Sequence, residues 1–441
     1  MLNAGFYKVC ISPPIGAPLA GFAARQGVST GIHDDLFARA LVLENEETAL
    51  ALVSVDVLAL SGEFVERVRA AINTSVGLGP ESVMIAATHT HAGPVTITTF
   101  FNPDESLDAT YMDRLCKAIV ESVSTAWRER FPARVGVGAG SVTGIGVNRR
   151  TPDKLPVDEE IGIIQVEDAA GETRAVLMNH ACHPTVLGPD NLLVTGDFPA
   201  FAIERVEATL GEGSLAMFVN STQGNISVGH SSELSAIGVI TPGRTFERAA
   251  ELGKRLGDAT LAALPKIETT AEPRLGALGS QLNLPLKKLP TREQAVALLE
   301  ASEARLAQLS AGNSADEEIN RAKSERLYAS ITHFYTEETG ALNGCLPVEL
   351  QGLRIGDTVF IAVPAEVFVE IGLQIKQRAA QRIFLAGIAN GYIGYLTTEA
   401  AHASGGYEVV SSKCAPEAEG VLIEKTLTLS GKLFTKGTGD Q

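Results

Sequence analysis

The chain has 441 residues, enough for two or three ordinary domains or one large α/β domain, and it needs no disulfide or metal merely to fold. Its 52 acidic and 36 basic residues leave a net charge of −16, which excludes a surface that binds nucleic acid or an anionic membrane through clustered Lys and Arg. Hydrophobic residues at 45% exclude a disordered chain, and aromatic residues at 5% exclude a membrane belt or a base-stacking surface.

In chain order, residues 38–44 and 49–58 are apolar runs joined by Asn45-Glu46-Glu47, the pattern of a hairpin. Ser61 is placed to cap a helix whose apolar positions Phe64, Val65, Val68 and Ile72 follow the 3.6-residue period. The buried run Val83–Ala87 then completes a βαβ unit. A long helix is expected over 107–128, with Leu115, Ile119, Val123 and Trp127 on one stripe. Strands follow at 133–139, 161–166, 174–179 and 214–219, and helices at 198–209 and 245–262. Residues 264–290 read as mixed, with alternating Leu and polar positions. Thr291-Arg292-Glu293-Gln294 has the form of a capping box and opens a charged helical hairpin over 291–331. The last quarter reads as strand 349–363, helix 366–380, strand 382–389 and a terminal helix near 416–430. The expected fold is mixed α/β, with largely parallel sheets flanked by helices and a site at the carboxyl ends of the strands.

Cysteines stand at 10, 116, 182, 345 and 414, widely spaced and without a CxxC pair, which reads as free thiols in a reducing compartment. Residues 1–8 show no basic segment followed by an apolar run, and no 18-residue apolar stretch occurs. A cytoplasmic protein without a stable membrane anchor is expected.

Chemistry-bearing residues gather at strand ends. His89-Thr90-His91 follows the run Val83–Ala87, and on an extended backbone residues two apart share a side. His180-Ala181-Cys182-His183 follows Val176–Met178, so four of the eight histidines lie in two such segments. Cys182 is read as a small buried hydrophobe ahead of a thiolate ligand. Ser227 ends a polar loop after 214–219, either as a nucleophile or as a turn serine. Glu366 precedes a helix, where the dipole favours a carboxylate, and Tyr392 and Tyr395 are two of only seven tyrosines. Two His and one Glu make a familiar catalytic zinc set, so these residues point to a metal-assisted hydrolase.

The same residues carry a resemblance. The sequence resembles the neutral/alkaline non-lysosomal ceramidases, in their N-terminal catalytic domain. The motifs run in order from Ala4-Gly5 and Ile11-Ser12-Pro13-Pro14-Ile15-Gly16 to Tyr407. They include Gly31-Ile32-His33, Leu36-Phe37-Ala38-Arg39-Ala40, His89-Thr90-His91-Ala92-Gly93-Pro94 and Asn148-Arg149. The spacing from His183 to Gly196-Asp197, Gly224-Asn225-Ile226-Ser227 and Tyr395-Leu396-Thr397-Thr398 complete the set. The resemblance implies a zinc ion held by His89, His183, Glu366 and Tyr395, with Tyr392 as the competing tyrosine. It places His91, Arg149, Tyr407 and Tyr392 toward a small-molecule substrate, and Ser227 where the family has a serine once proposed as nucleophile. Val228 replaces the usual Pro after that serine, and with zinc present Ser227 takes a supporting role.

The implied reaction is hydrolysis of an amide bond by metal-activated water. Tyr395 and His91 would stabilise the oxyanion, and one of them would pass a proton to the leaving amine. Family members are longer, are usually exported and carry an immunoglobulin-like C-terminal domain. The chain shows no greasy rim, so the expected substrate is a soluble N-acyl compound more than ceramide itself. An esterase or lactonase, and a non-catalytic binding protein of the same fold, are the competing readings. The motif order assigns residues 1–441 to one domain with 291–331 inserted in it.

Overall fold

A computed structural model describes residues 1–100, 102, 107–151 and 154–435, so the expected limit at 441 lies outside the described residues. Twelve strands make two main sheets. The first contains β1 (Asn3–Cys10), β2 (Phe37–Glu44), β3 (Ala49–Val55), β4 (Val83–Ala87), β5 (Phe131–Ser141), β6 (Glu160–Asp168), β7 (Thr173–His180) and β8 (Leu215–Asn220). Their order across the sheet is β8-β7-β6-β5-β1-β2-β3-β4. The second contains β9 (Leu275–Pro285), β10 (Cys345–Ile355), β11 (Thr358–Val363) and β12 (Arg382–Gly387), in that order.

The sheets stack face to face with helices on their outer sides. Ala38, Ala40 and Val42 of β2 pack against α1 (Gly62–Val76) and α2 (Ala109–Arg128), whereas Leu41 and Leu43 turn to the core between the sheets. Val176 and Met178 of β7 meet α3 (Phe198–Leu210) and α4 (Phe246–Ala263), with Leu177 on the inter-sheet side. Val359, Ile361 and Val363 of β11 face α7 (Val369–Arg378) and α8 (Ala418–Thr435). Both faces of these strands are buried, so they read as continuous apolar runs. Phe360 and Phe384 meet in the inter-sheet core with ring centroids 5.3 Å apart, a pair worth about 0.5–1.5 kcal/mol beyond its buried area.

The mixed α/β class is as expected, but the sheets are not largely parallel. Parallel pairing occurs between β3 and β4, β7 and β8, and β11 and β12, while the other main-sheet neighbours run antiparallel. The connections explain this. Each parallel pair is joined through a helix, namely α1, α3 or α7, whereas a short turn such as residues 45–48 returns the chain antiparallel. The expected strand 349–363 is two strands, divided at Gly356-Asp357 where Gly356 takes φ 60°. The mixed stretch 264–290 contains β9, an edge strand whose alternating burial matches its Leu-polar alternation. The helical hairpin forms as α5 (Arg292–Ala311) and α6 (Asp316–Thr339), opened by the Thr291–Gln294 capping box, and its second arm runs on past residue 331. Among the described residues no helix is long and apolar enough to cross a membrane, and no cysteine pairs with another.

The carboxyl ends of β4, β7, β8, β11 and β12 come to one edge. Ala86 bridges to Ala389, Asn390 Oδ1 accepts from Ile85 N, and Glu366 pairs in parallel with Tyr395. Gly224 is required where the loop after β8 crosses this edge, because a Cβ there would stand 2.5 Å from the Glu366 carbonyl oxygen.

Candidate metal centre

His89 lies two residues beyond β4 with φ 72°, a conformation a non-glycine residue adopts only when its surroundings hold it. Its amide donates to Val57 O, and its Nδ1 lies 2.8 Å from Leu58 O. That carbonyl fixes the proton on Nδ1 and aims the Nε2 lone pair at Glu366 Oε2, 3.5 Å away. The expected reason for His89 and His91 sharing a side, an extended backbone, is therefore not the one used. The left-handed turn at His89 instead sets the two rings edge-on with centroids 4.8 Å apart.

His183 follows β7 and is held the same way. Its Nδ1 is 2.8 Å from Gln223 O and 2.9 Å from Ile226 O, and its Nε2 is 2.8 Å from Glu366 Oε2. Glu366 is buried at the end of β11, and its other oxygen accepts a 2.6 Å hydrogen bond from Tyr392 Oη.

These contacts converge where a cation would satisfy them. Burial opposes ionisation of Glu366, and the carboxyl is held well below its usual range only by charge on His89 and His183. Burial and Arg149 push His183 down to about 4, which denies it that charge at neutral pH. The stronger demand is the burial of the histidine, whose one proton is already given to backbone carbonyls. A lone pair then faces a carboxylate oxygen, and a metal cation between them meets both demands. His89 Nε2 and both ring nitrogens of His91 are buried without a hydrogen-bond partner among the described residues. His89, His91 and His183 offer nitrogen atoms all within 4.8 Å of one another. This donor set of imidazole and carboxylate suits zinc.

The two tyrosines have different partners. Tyr392 is committed to Glu366, whereas Tyr395 Oη accepts from Arg149 Nη2 at 3.0 Å, and its ring stacks on His183 at 6.5 Å. Burial, followed by the Glu366 charge, pushes both phenols well above 10. Tyr407 packs edge-on against Tyr395 at 6.0 Å. Arg149 also donates to Gly224 O at 2.9 Å and to Glu408 Oε1 at 2.8 Å. Burial alone would weaken the Arg149 charge, but Tyr395, Glu408 and Glu366 outweigh it and hold the guanidinium more firmly protonated than usual. Glu408 is shared with Arg150 at 2.9 Å and Ser232 at 2.9 Å. Sequence reasoning missed Glu408, and its only signal was the unanswered charge of Arg149 and Arg150.

Ser227 turns away from this chemistry. Its Oγ donates to His230 O at 2.8 Å and accepts from Gly229 N. His180 Nδ1 is spent on Glu160 O at 3.0 Å, and Cys182 is a buried thiol whose pKa burial raises.

His91, His183, Arg149, Tyr395 and Tyr407 line one cavity of about 30 Å³, closed on its other side by Phe22, Thr185, His230, Ser231, Ser232 and Ser235. Larger grooves of about 700 and 780 Å³ lie by Glu44-Asn45 and by Thr358 and Arg382, at the opposite edge from the histidines. The small cavity holds the reactive groups and is the candidate site.

Comparison with known proteins agrees with the motif order. A family profile described as neutral/alkaline non-lysosomal ceramidase, N-terminal, matches residues 8–229. The neutral ceramidase of Pseudomonas aeruginosa is 25% identical over 461 residues, covering 90% of this chain and 67% of its own length. Neutral ceramidase A of Dictyostelium discoideum is 24% identical over 255 residues, covering 51% of this chain and 35% of its own. The neutral ceramidase of Mycobacterium tuberculosis is 27% identical over 270 residues, covering 53% and 41%. The chain thus spans between about a third and two thirds of the length of these relatives. The crystal structure of the Pseudomonas aeruginosa neutral ceramidase superposes with a TM-score of 0.76 at 21% identity, covering 99% of this chain and 75% of that one.

Proposed function

The chain belongs to the neutral/alkaline non-lysosomal ceramidase family, and from that premise we propose that it is a zinc-dependent hydrolase of an amide bond in an N-acyl compound. One observation carries the reading: the Nε2 atoms of His89 and His183 converge on Glu366 Oε2 while both Nδ1 atoms are held by backbone carbonyls.

His89, His183, Glu366 and Tyr395 would hold the zinc. Tyr395 is the better fourth ligand than Tyr392, because Arg149 beside its oxygen favours the phenolate, whereas Tyr392 is occupied in fixing Glu366. A bound zinc ion supplies a Lewis acid that activates water near pH 7 and polarises a carbonyl. The rest is the work of side chains. Burial keeps His91 neutral, helped by the neighbouring histidines. It accepts a proton from the attacking water and passes it to the leaving amine. Arg149, anchored by Glu408 and Gly224, orients Tyr395 and adds positive charge where the oxyanion develops. Tyr407 forms a substrate-facing wall. Ser227 shapes the turn at Gly229 and His230 and is not the nucleophile.

Residues 1–441 act as one domain in this reading, and five unpaired cysteines support a reducing, cytoplasmic setting. The test is hydrolysis of matched N-acetyl amide and ester substrates by the purified protein, with zinc content measured on the same sample. Amide cleavage lost in zinc-free His89→Ala supports the reading. Activity in a metal-free His89→Ala protein overturns it.

A further inference from the structure

The cavity beside the histidines has a second wall, built around His230, that the proposed chemistry does not use. His230 is 5% exposed, and its Nε2 has no hydrogen-bond partner among the described residues. The hydrogen-bond network accommodates its proton on Nε2. Arg244 Nε donates to Thr241 Oγ1 at 3.2 Å, which leaves the Thr241 hydroxyl proton to be donated onward. His230 Nδ1 lies 2.8 Å from the same oxygen, and in the tautomer where it accepts that proton Nε2 carries the imidazole proton. Burial, with Arg244 and Arg248 adding to it, lowers the imidazole to about 4, so the ring stays neutral and offers one N–H. Native proteins rarely leave a buried ring nitrogen without a partner, and His230 lines the cavity.

Charge narrows what that partner is. Arg25, Arg244 and Arg248 donate to the backbone carbonyls of Ala20, Leu187 and Val228, and none makes an ion pair among the described residues. Asp190 acts on both Arg25 and Arg244, and Asp197 on Arg244 alone of the two. Phe22 connects them to the site. Its ring stands 5.1 Å from Arg25 Cζ, 5.9 Å from Arg244 Cζ and 5.0 Å from the His91 ring. The wall is polar, has guanidiniums without ion-pair partners among the described residues beside it, and is close to the reacting groups. The cavity of about 30 Å³ is room for about two waters, the space of a small polar group such as a carboxylate.

We propose that His230 is a substrate-recognising residue whose Nε2–H donates to a carboxylate oxygen, and that the substrate is a small N-acyl compound of the N-acyl amino acid class. The proposal rests on the amide-hydrolase reading above and names its substrate. The zinc-loaded protein is assayed with N-acetyl-L-alanine and with its neutral amide, N-acetyl-L-alaninamide. The wild type should prefer the carboxylate substrate by at least about tenfold in kcat/KM. His230→Ala should lose about 10- to 100-fold on that substrate, mainly through KM, change the neutral one little, and keep its zinc. His230→Gln, which retains a donor, should recover part of the loss. Unchanged discrimination in both variants, or a wild-type preference for the neutral substrate, overturns the proposal. If zinc is bound and neither compound is cleaved, the amide-hydrolase reading fails by itself. Calorimetric binding of N-acetyl-L-alanine then decides the role of His230: weaker binding to His230→Ala upholds it, and equal or absent binding to both proteins rejects it.

Discussion

Glu366 Oε2 lies 2.8 Å from His183 Nε2, on an imidazole whose Nδ1 is already claimed by the Gln223 and Ile226 carbonyls. With the carboxyl ionised and the imidazole neutral, the contact sets acceptor against acceptor, and a metal cation between them resolves it. Chelation should therefore abolish activity and lower Tm. Re-adding zinc at 100 times its Kd should restore about 2.7 kcal/mol of stability. Glu366→Gln separates charge from metal. Its amide can donate to His183 Nε2, so the metal-free variant should be at least as stable as metal-free wild type and should gain no Tm from zinc. Thermal unfolding with and without zinc measures both.

The Arg149–Glu408 pair is buried, and Tyr395 and Arg150 share its charges. Removing one partner leaves the other uncompensated, so Arg149→Met should cost about 3–5 kcal/mol in urea unfolding. The double variant Arg149→Met with Glu408→Leu should be less destabilised than Arg149→Met. Additive losses would contradict the pairing.

Ser227 spends its hydroxyl on His230 O and Gly229 N. Ser227→Ala should lower stability by about 1 kcal/mol and kcat/KM by about tenfold or less, with zinc retained. A loss of about 10⁴-fold or more with stability intact would restore the nucleophile reading.

Gly224 admits the loop after β8 against Glu366. Gly224→Ala places a Cβ 2.5 Å from the Glu366 carbonyl oxygen and 2.9 Å from Val367 backbone atoms. Zinc affinity should fall about tenfold or more as Glu366 is displaced, measured by competition with a chelator of known affinity. Unchanged affinity would mean that the loop shifts without moving the carboxylate.

Much of this arrangement was legible in the sequence because buried runs end where chemistry begins. The run Val83–Ala87, the Ser61 cap and the Thr291–Gln294 box are local signals, and each forms where expected. Strand direction was legible where the connection was, at the 45–47 turn and across the helix after Ser61, and not for strands that pair without being joined directly, such as β1 with β5. β1 was not anticipated because Asn3–Cys10 is neither a continuous apolar run nor a clean alternation, yet it pairs with β2 along its whole length. The turn at His89 is a tertiary effect, imposed by the Val57 and Leu58 carbonyls. Glu408, in the short helix Tyr407–Val410, and His230, in a loop, are single residues to which only their buried partners give meaning.

Anomalous diffraction at the zinc edge, on crystals of catalytically active protein, tests the central claim most directly. The account predicts one strong peak per chain, bounded by His89 Nε2, His183 Nε2 and Glu366 Oε2. An active protein with no peak there, or with its zinc held by other residues, would contradict it.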